Sequence, residues 1–268
     1  MKFLLLLLFS FQAHSQISSI YSTHERSCIS LDLLKSQTQD TEIFILGEFH
    51  NDDSIQNAQN QIINELKNQT SSVMWEFLNH HDQSQISEAI KSLSATEFIN
   101  TFPGKHNTSY LPLIKTVQEN KLELIGLNIS RAYKQKIIKE GIQSVPQEIL
   151  PYKLIKGSPD YRTRFTQVMG NHIPPEMLEK YFLAQYLTDS IMAQKIIENH
   201  FDRSFVIAGS FHTDFFDGTV YALKELSNIT FSTFKFINQK TLTTEEIHFF
   251  KNGDPEFGLF ADYIVFSL

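Results

Sequence analysis

Two acidic and two histidine side chains, each at or close to the end of a short apolar run, are the first candidates for chemistry in this chain: Glu48, His50, Glu76 and His212. Glu76 lies inside an apolar run (MWEF), where a carboxylate is costly unless it is paired or bound to a metal. Carboxylates and imidazoles serve as general acids and bases, and they also bind divalent metals such as zinc. The four residues are therefore predicted as catalytic acids and bases or as metal ligands.

Further polar residues accompany them. Asn128 follows another apolar run, with Arg131 one helical turn later. A long helix is expected over residues 176–199, where Gln185 and Asp189 interrupt an apolar stripe of helical period and Tyr181 lies at its edge. Polar groups within such a stripe must face a partner, a ligand or water.

Apolar runs of strand length alternate with helical patterns along most of the chain. This alternation indicates an α/β fold with a mainly parallel sheet and crossover helices. Strands are predicted at residues 42–46, 73–77, 122–127, 205–208, 231–237 and 263–266. Helices are predicted at residues 54–66, 110–119, 132–139, 176–199 and 219–226, with further helical patterns up to residue 99.

The ends of the first four strands should meet, because ligands of open parallel sheets bind beyond the carboxyl ends of the strands. We therefore expect Glu48, His50, Glu76 and His212 to line one cleft, with Gln185 and Asp189 lining it from the long helix. Residues 141–175 are rich in proline and break the alternation, so they are predicted to form a helical insertion or cap over the strand ends.

Composition excludes some classes of function. The formal net charge is −7 and no basic run is present, which argues against nucleic-acid binding. The 23 phenylalanines favour an aromatic core, or else an apolar ligand pocket. The single cysteine, Cys28, permits no internal disulfide.

The first fifteen residues have the pattern of a secretory signal. Lys2 precedes an apolar run at residues 3–11, and small residues precede a cleavage site after Ser15. No cysteine follows the apolar run directly, so no lipid anchor is expected. We predict a signal peptide at residues 1–15, a single α/β domain at 16–268, and export to the periplasm or the medium.

Taken in chain order, several short motifs resemble those of the ChaN family of exported bacterial haem-binding proteins. The resemblance extends over about residues 30–226. The motifs are Gly47-Glu48-Phe49-His50, Trp75-Glu76-Phe77, Tyr110-Leu111-Pro112-Leu113, Asn128 with Arg131, Ala184-Gln185 with Asp189 and Met192-Ala193, and Gly209 with His212.

This resemblance implies haem as the ligand, a role in iron acquisition, and a tyrosine as the haem contact. Tyr110, Tyr133 and Tyr181 are the candidates, because no motif selects one of them. The resemblance also implies a homodimer and outer-membrane iron-uptake components as partners. The family is similar to Tiki-type proteases and erythromycin esterases, so a metal-dependent or His/Glu-dependent hydrolase acting on a small molecule stays open as the alternative.

Overall fold

Among residues 16–102, 107–170 and 172–268, which the computed structural model describes, eight strands form one mixed sheet. The predicted signal peptide lies outside these residues. The strands are β1 (Ile17–Ser22), β2 (Ser27–Ile29), β3 (Ile43–Glu48), β4 (Ser72–Asn79), β5 (Glu123–Asn128), β6 (Ser204–Gly209), β7 (Phe231–Asn238) and β8 (Tyr263–Ser267). Their order in the sheet is β2-β1-β8-β7-β3-β6-β4-β5.

Helices cover both faces of the sheet. They are α1 (Leu31–Gln37), α2 (Asp53–Leu66), α3 (Gln83–Ser92), α4 (Ala95–Thr101), α5 (Leu111–Asn120), α6 (Arg131–Glu140), α7 (Pro159–Met169), α8 (Leu178–Asn199), α9 (Ser210–Thr213), α10 (Thr219–Leu226) and α11 (Thr244–Asn252).

Strand β3 shows why the sheet needs helices on both sides. All six of its residues are buried. Phe44 and Leu46 pack into the core beneath α2 and α5, whereas Ile43 and Ile45 pack into a second core with α8 and α10. Successive side chains of a strand point to opposite faces, so a strand that is buried at every position requires cover on both faces.

The chain order places the carboxyl ends of the central strands around one crevice. Strand β6 lies between β3 and β4, and β7 lies on the other side of β3; all of these neighbours run parallel. From β3 the chain goes on to β4 and β5 on one side of the sheet, and from β6 it crosses to β7 on the other side. The strand order therefore reverses beside β3, and parallel sheets bind their ligands at such a reversal.

The α/β class and the six predicted strands are confirmed, with ends displaced by one or two residues. The sequence did not predict β1 and β2, which pair antiparallel with each other, while β1 pairs antiparallel with β8. The proline-rich stretch at 141–175 contains a regular helix, α7, which begins at Pro159 behind a Ser158 N-cap. Proline at the first helical position is compatible with a helix start, so the prolines there do not break the structure.

No helix within the described parts of the chain is both long enough and apolar enough to cross a membrane.

Candidate functional site

The carboxyl ends of the central strands open onto a cleft of about 530 Å³. Glu48, His50, Glu76 and His212 all line it, although they are far apart in the sequence. Phe49 also lines the cleft and is 52% exposed, so part of the wall is apolar. The placement of these four side chains agrees with the expectation from parallel strand ends.

Glu48, the last residue of β3, is buried and held by three donors. Its Oε1 accepts hydrogen bonds from the Tyr110 hydroxyl and from His50 Nδ1 at 2.9 Å, and its Oε2 accepts one from the Gln56 amide at 3.0 Å. Burial and the neighbouring Glu48 carboxylate raise the pKa of Tyr110 well above its usual range. Tyr110 is therefore a buried donor that supports Glu48, and the structure does not support the prediction that it contacts haem.

His50 lies in a turn after β3, and the next residue, Asn51, has φ 60°. Its Nε2 points toward β6, because a Cβ built on Gly209 would lie only 2.7 Å from it. A larger residue than glycine at position 209 would displace the imidazole. Burial by itself would lower the pKa of His50, but the hydrogen bond to Glu48 and the charge of Glu76 raise it overall.

Glu76 is the buried carboxylate of β4. Its Oε2 accepts a hydrogen bond from the Gly209 backbone amide at 2.6 Å, and its Oε1 lies 3.3 Å from His212 Nε2. Burial alone would raise the pKa of Glu76, but the charge and hydrogen bond of His212, followed by the charge of His50, lower it to about 2. His212 is thus the partner that the Glu76 carboxylate needs in its apolar surroundings.

His212, just after β6, bridges two carboxylates. Its Nδ1 lies 2.6 Å from Asp189 Oδ1 and 3.2 Å from the Gln185 amide nitrogen. Burial alone would lower the pKa of His212, but the charges of Glu76 and Asp189 raise it to about 10. The imidazole is therefore a buried cation at neutral pH, bonded through both ring nitrogens.

Asp189 was expected to line the cleft, but it is fully buried behind His212. On the long helix α8 it accepts hydrogen bonds from the Tyr161 hydroxyl at 2.6 Å and from Thr219 Oγ1 at 2.9 Å, in addition to His212. Sequence reasoning missed Tyr161, because the stretch at 141–175 was predicted as a helical insertion or cap without any site residue assigned to it. The aspartate orients and charges the histidine instead of contacting a ligand.

These contacts reduce the number of side chains that could act as catalytic groups in the alternative function, a hydrolase. Glu76 and His212 bind each other, and Glu48 is saturated by its three donors. Of the four predicted catalytic residues, His50 alone keeps a nitrogen, Nε2, that is directed to the cleft and has no hydrogen-bond partner among the described residues.

Lys235 is a further charged residue beside the cleft, and sequence reasoning missed it. It is fully buried on β7, and its Nζ lies 2.5 Å from Ser210 Oγ and 2.7 Å from Asp214 Oδ2. Its signal was available, since a lysine inside the apolar run TFKF is as costly as the glutamate inside MWEF. Ser210 and Asp214 line the cleft above it.

A second, apolar cavity of about 380 Å³ adjoins the cleft and lies among α6, α7 and α8. Phe211 and Val168 line both spaces and form a shared wall between them. Tyr181, Gln185 and Lys134 supply most of the polar groups of the second cavity. The Tyr181 hydroxyl and the Lys134 ammonium form no hydrogen bond or ion pair with the described residues.

Other predicted residues lie elsewhere. Asn128 ends β5, at the edge of the sheet, and its side chain accepts a hydrogen bond from the next backbone amide, that of Ile129. Arg131 is exposed at the start of α6. Tyr133 packs its ring edge-on against His81. None of these three residues lines either cavity in the described structure; β5 is the edge strand, on the far side of β4 from β6.

The predicted metal site, with Glu48, His50, Glu76 and His212 as ligands, receives no support. In the part of the chain that the structure describes, no group of three or more His, Cys, Asp or Glu side chains is arranged to hold a metal ion. The physical reason is that Glu48 and the Glu76–His212 pair direct their polar atoms at protein partners.

Comparison with solved structures gives similar folds. A structure described as cofacial haem binding to ChaN of Campylobacter jejuni superposes with a TM-score of 0.72 at 20% identity, covering 93% of this chain and 96% of that one. The type III effector HopBA1 gives a TM-score of 0.50 at 12% identity, covering 88% and 92%. These identities show a shared fold alone. A search among curated proteins finds no match.

Membership of a family comes from the sequence. Residues 34–223 match the family described as "Haem-binding uptake, Tiki superfamily, ChaN". The matched region contains β3, β4, β5 and β6 together with the cleft residues at their ends. The chain therefore belongs to the ChaN family of haem-binding uptake proteins of the Tiki superfamily.

Proposed function

We propose that this protein binds haem in the apolar cavity, with Tyr181 as the iron ligand. One observation carries the proposal: Tyr181 lines an apolar space, and its hydroxyl has no hydrogen-bond partner among the described residues. Haem iron accepts a tyrosine oxygen as an axial ligand. Of the three candidate tyrosines, Tyr110 is committed to Glu48 and Tyr133 packs on His81, so Tyr181 alone lines the cavity.

The rest of the cavity fits a porphyrin. Its walls are largely apolar side chains, which suit the macrocycle. Lys134 is a cation in this apolar setting; burial lowers the pKa of Lys134, while the charges of Glu76 and Asp189 act in the opposite direction. An ammonium without an ion-pair partner suits the carboxylates of haem.

The test is a haemin titration followed by absorption spectroscopy. We expect a saturable Soret shift for the native protein, and Tyr181→Phe should change the bound spectrum and weaken binding by about tenfold or more, as expected for the loss of an interaction worth more than 1.4 kcal/mol. Tyr133→Phe, on the neighbouring helix α6, is the matched control and should behave as the native protein. An unchanged spectrum in Tyr181→Phe would refute the ligand assignment, and no saturable binding to the native protein would refute the function.

Lys134 provides a second test, which concerns the ligand's carboxylates. We expect Lys134→Met to lower haemin affinity by about tenfold, the cost of one charge-assisted hydrogen bond, but to leave affinity for haemin dimethyl ester unchanged. Lys136→Met, on the exposed face of α6, is the control. Equal losses for the acid and the ester would mean that Lys134 acts through packing rather than through charge.

We further propose that the protein is exported and acts in haem or iron acquisition outside the cytoplasm, together with a second copy and outer-membrane uptake components. The pattern of residues 1–15 supports export. Mature protein from the native cell should begin at Gln16. Mass spectrometry that detects residues 1–15 still attached would rule out the proposed cleavage.

A further inference from the structure

The floor of the cleft carries a serine–lysine pair that haem binding in the apolar cavity does not use. Ser210 lines the cleft and is partly exposed, whereas the Lys235 ammonium beneath it is buried. The two polar atoms are 2.5 Å apart. A small molecule in the cleft can therefore reach the hydroxyl but not the amine.

Three neighbours fix this pair in place. Asp214 Oδ2 lies 2.7 Å from Lys235 Nζ, the Phe49 ring lies 4.3 Å from the same nitrogen, and Ser210 Oγ donates to the Glu48 carbonyl at 2.8 Å. Burial lowers the pKa of Lys235, although the charge of Asp214 opposes this. A desolvated amine beside a hydroxyl is one of the arrangements that activates a nucleophile.

We propose that Ser210 is a nucleophile for the hydrolysis of carboxylic esters, with Lys235 as its proton acceptor and Asp214 as the group that orients Lys235. Asp214 takes one ammonium proton, which leaves a lone pair on Lys235 Nζ. The cleft walls contributed by Phe49, Phe211 and Phe257 favour an apolar acyl group.

The proton and bond changes balance without a further reactant except water. The Ser210 hydroxyl proton turns from the Glu48 carbonyl to Lys235 Nζ and is transferred there as Oγ bonds to the carbonyl carbon of the ester. The bond to the alcohol then breaks, and the alcohol takes that proton. In the second half, water adds to the acyl carbon and gives its proton to Nζ, the bond to Ser210 breaks, and Oγ takes the proton back. The products are a carboxylic acid and an alcohol.

A fluorophosphonate probe tests the proposal directly, because an activated serine displaces its fluoride and forms a bond to phosphorus. We expect labelling of the intact protein at Ser210, mapped by mass spectrometry and absent in Ser210→Ala. Ser92→Ala, an exposed helical serine, is the control and should label as the native protein does. Lys235→Met should label at least about 100-fold more slowly, the usual cost of losing a general base.

Because Lys235→Met removes a buried ion pair, a second variant protects the test against misfolding. The thiol introduced by Ser210→Cys should react with iodoacetamide at pH 7 faster than Cys28, the exposed free thiol of the same chain, since a neighbouring amine promotes the thiolate. The proposal is overturned if no serine is labelled, if Ser210→Ala retains the label, or if the introduced thiol reacts no faster than Cys28. Haemin binding by Ser210→Ala should stay at the native level.

Discussion

Replacing Asp189 with alanine should lower the free energy of unfolding by about 3–5 kcal/mol, the usual cost of removing one partner from a buried charge pair. The carboxylate is fully buried and accepts hydrogen bonds from His212, Tyr161 and Thr219. Alanine would leave the Tyr161 and Thr219 hydroxyls without their acceptor and would remove one of the two negative charges that balance the His212 cation. Each buried donor without an acceptor adds its own desolvation penalty.

Urea unfolding followed by circular dichroism measures this effect. Asp40→Ala is the matched control, because Asp40 is exposed and its carboxylate makes no hydrogen bond to the described residues; it should change stability by less than about 0.5 kcal/mol. A loss for Asp189→Ala as small as that of the control would mean that the network around His212 contributes little to folding.

The second large effect is a loss of stability at alkaline pH. The pKa of His212 is about 10 in the folded protein, above the 6.5 of an unperturbed histidine. Its contribution is therefore complete below pH 6.5 and is lost as the pH rises toward 10. We expect a loss on the order of 3 kcal/mol, comparable with the breaking of a buried pair. That corresponds to a decrease in Tm of roughly 6–12 °C for a protein of this size.

Glu76 sets the acid limit of the pH range in which the network stabilises the fold. Its folded pKa of about 2 lies below the unperturbed 4.5, so its contribution is complete above pH 4.5 and is lost as the pH falls toward 2. The network should therefore stabilise the fold most between about pH 4.5 and 6.5. Thermal melts of the native protein from pH 5 to 10 test the alkaline limb, and His212→Gln should flatten it. A native Tm that is constant from pH 6.5 to 10 would contradict the raised pKa of His212.

The sequence was sufficient to predict a site residue where a charged side chain lies among apolar neighbours. Glu76 in an apolar strand required a partner, and the parallel order of the strands brought His212 to it. The parallel order also places Glu48 and His50 in the cleft, because Glu48 ends the central strand β3 and His50 comes two residues later. A charged residue in an apolar strand can be recognised from the sequence around it, and the regular geometry of parallel strands then predicts which residues lie near it.

The sequence was insufficient where partners depend on tertiary packing. Tyr110 and Tyr181 cannot be told apart from spacing; the first donates to a buried carboxylate and the second faces a cavity. Tyr161 lies in a proline-rich stretch without strand or helix periodicity, so the residues around it do not predict its hydrogen bond to Asp189. Lys235 is different, because a lysine within the run TFKF can be recognised from the sequence as a buried charge that needs a partner.

The wall formed by Phe211 and Val168 has a consequence for how this protein can diverge. Because both side chains face both spaces, a smaller residue at either position would join the cleft to the apolar cavity, and a bulkier one would narrow both. In the described structure no ion pair or ring contact joins the Val168 side chain to the buried charges beneath, whereas the Phe211 ring packs against the guanidinium of the buried Arg164. The range of ligands that the two spaces accept can thus change through substitutions at Val168 while the buried charged network stays intact.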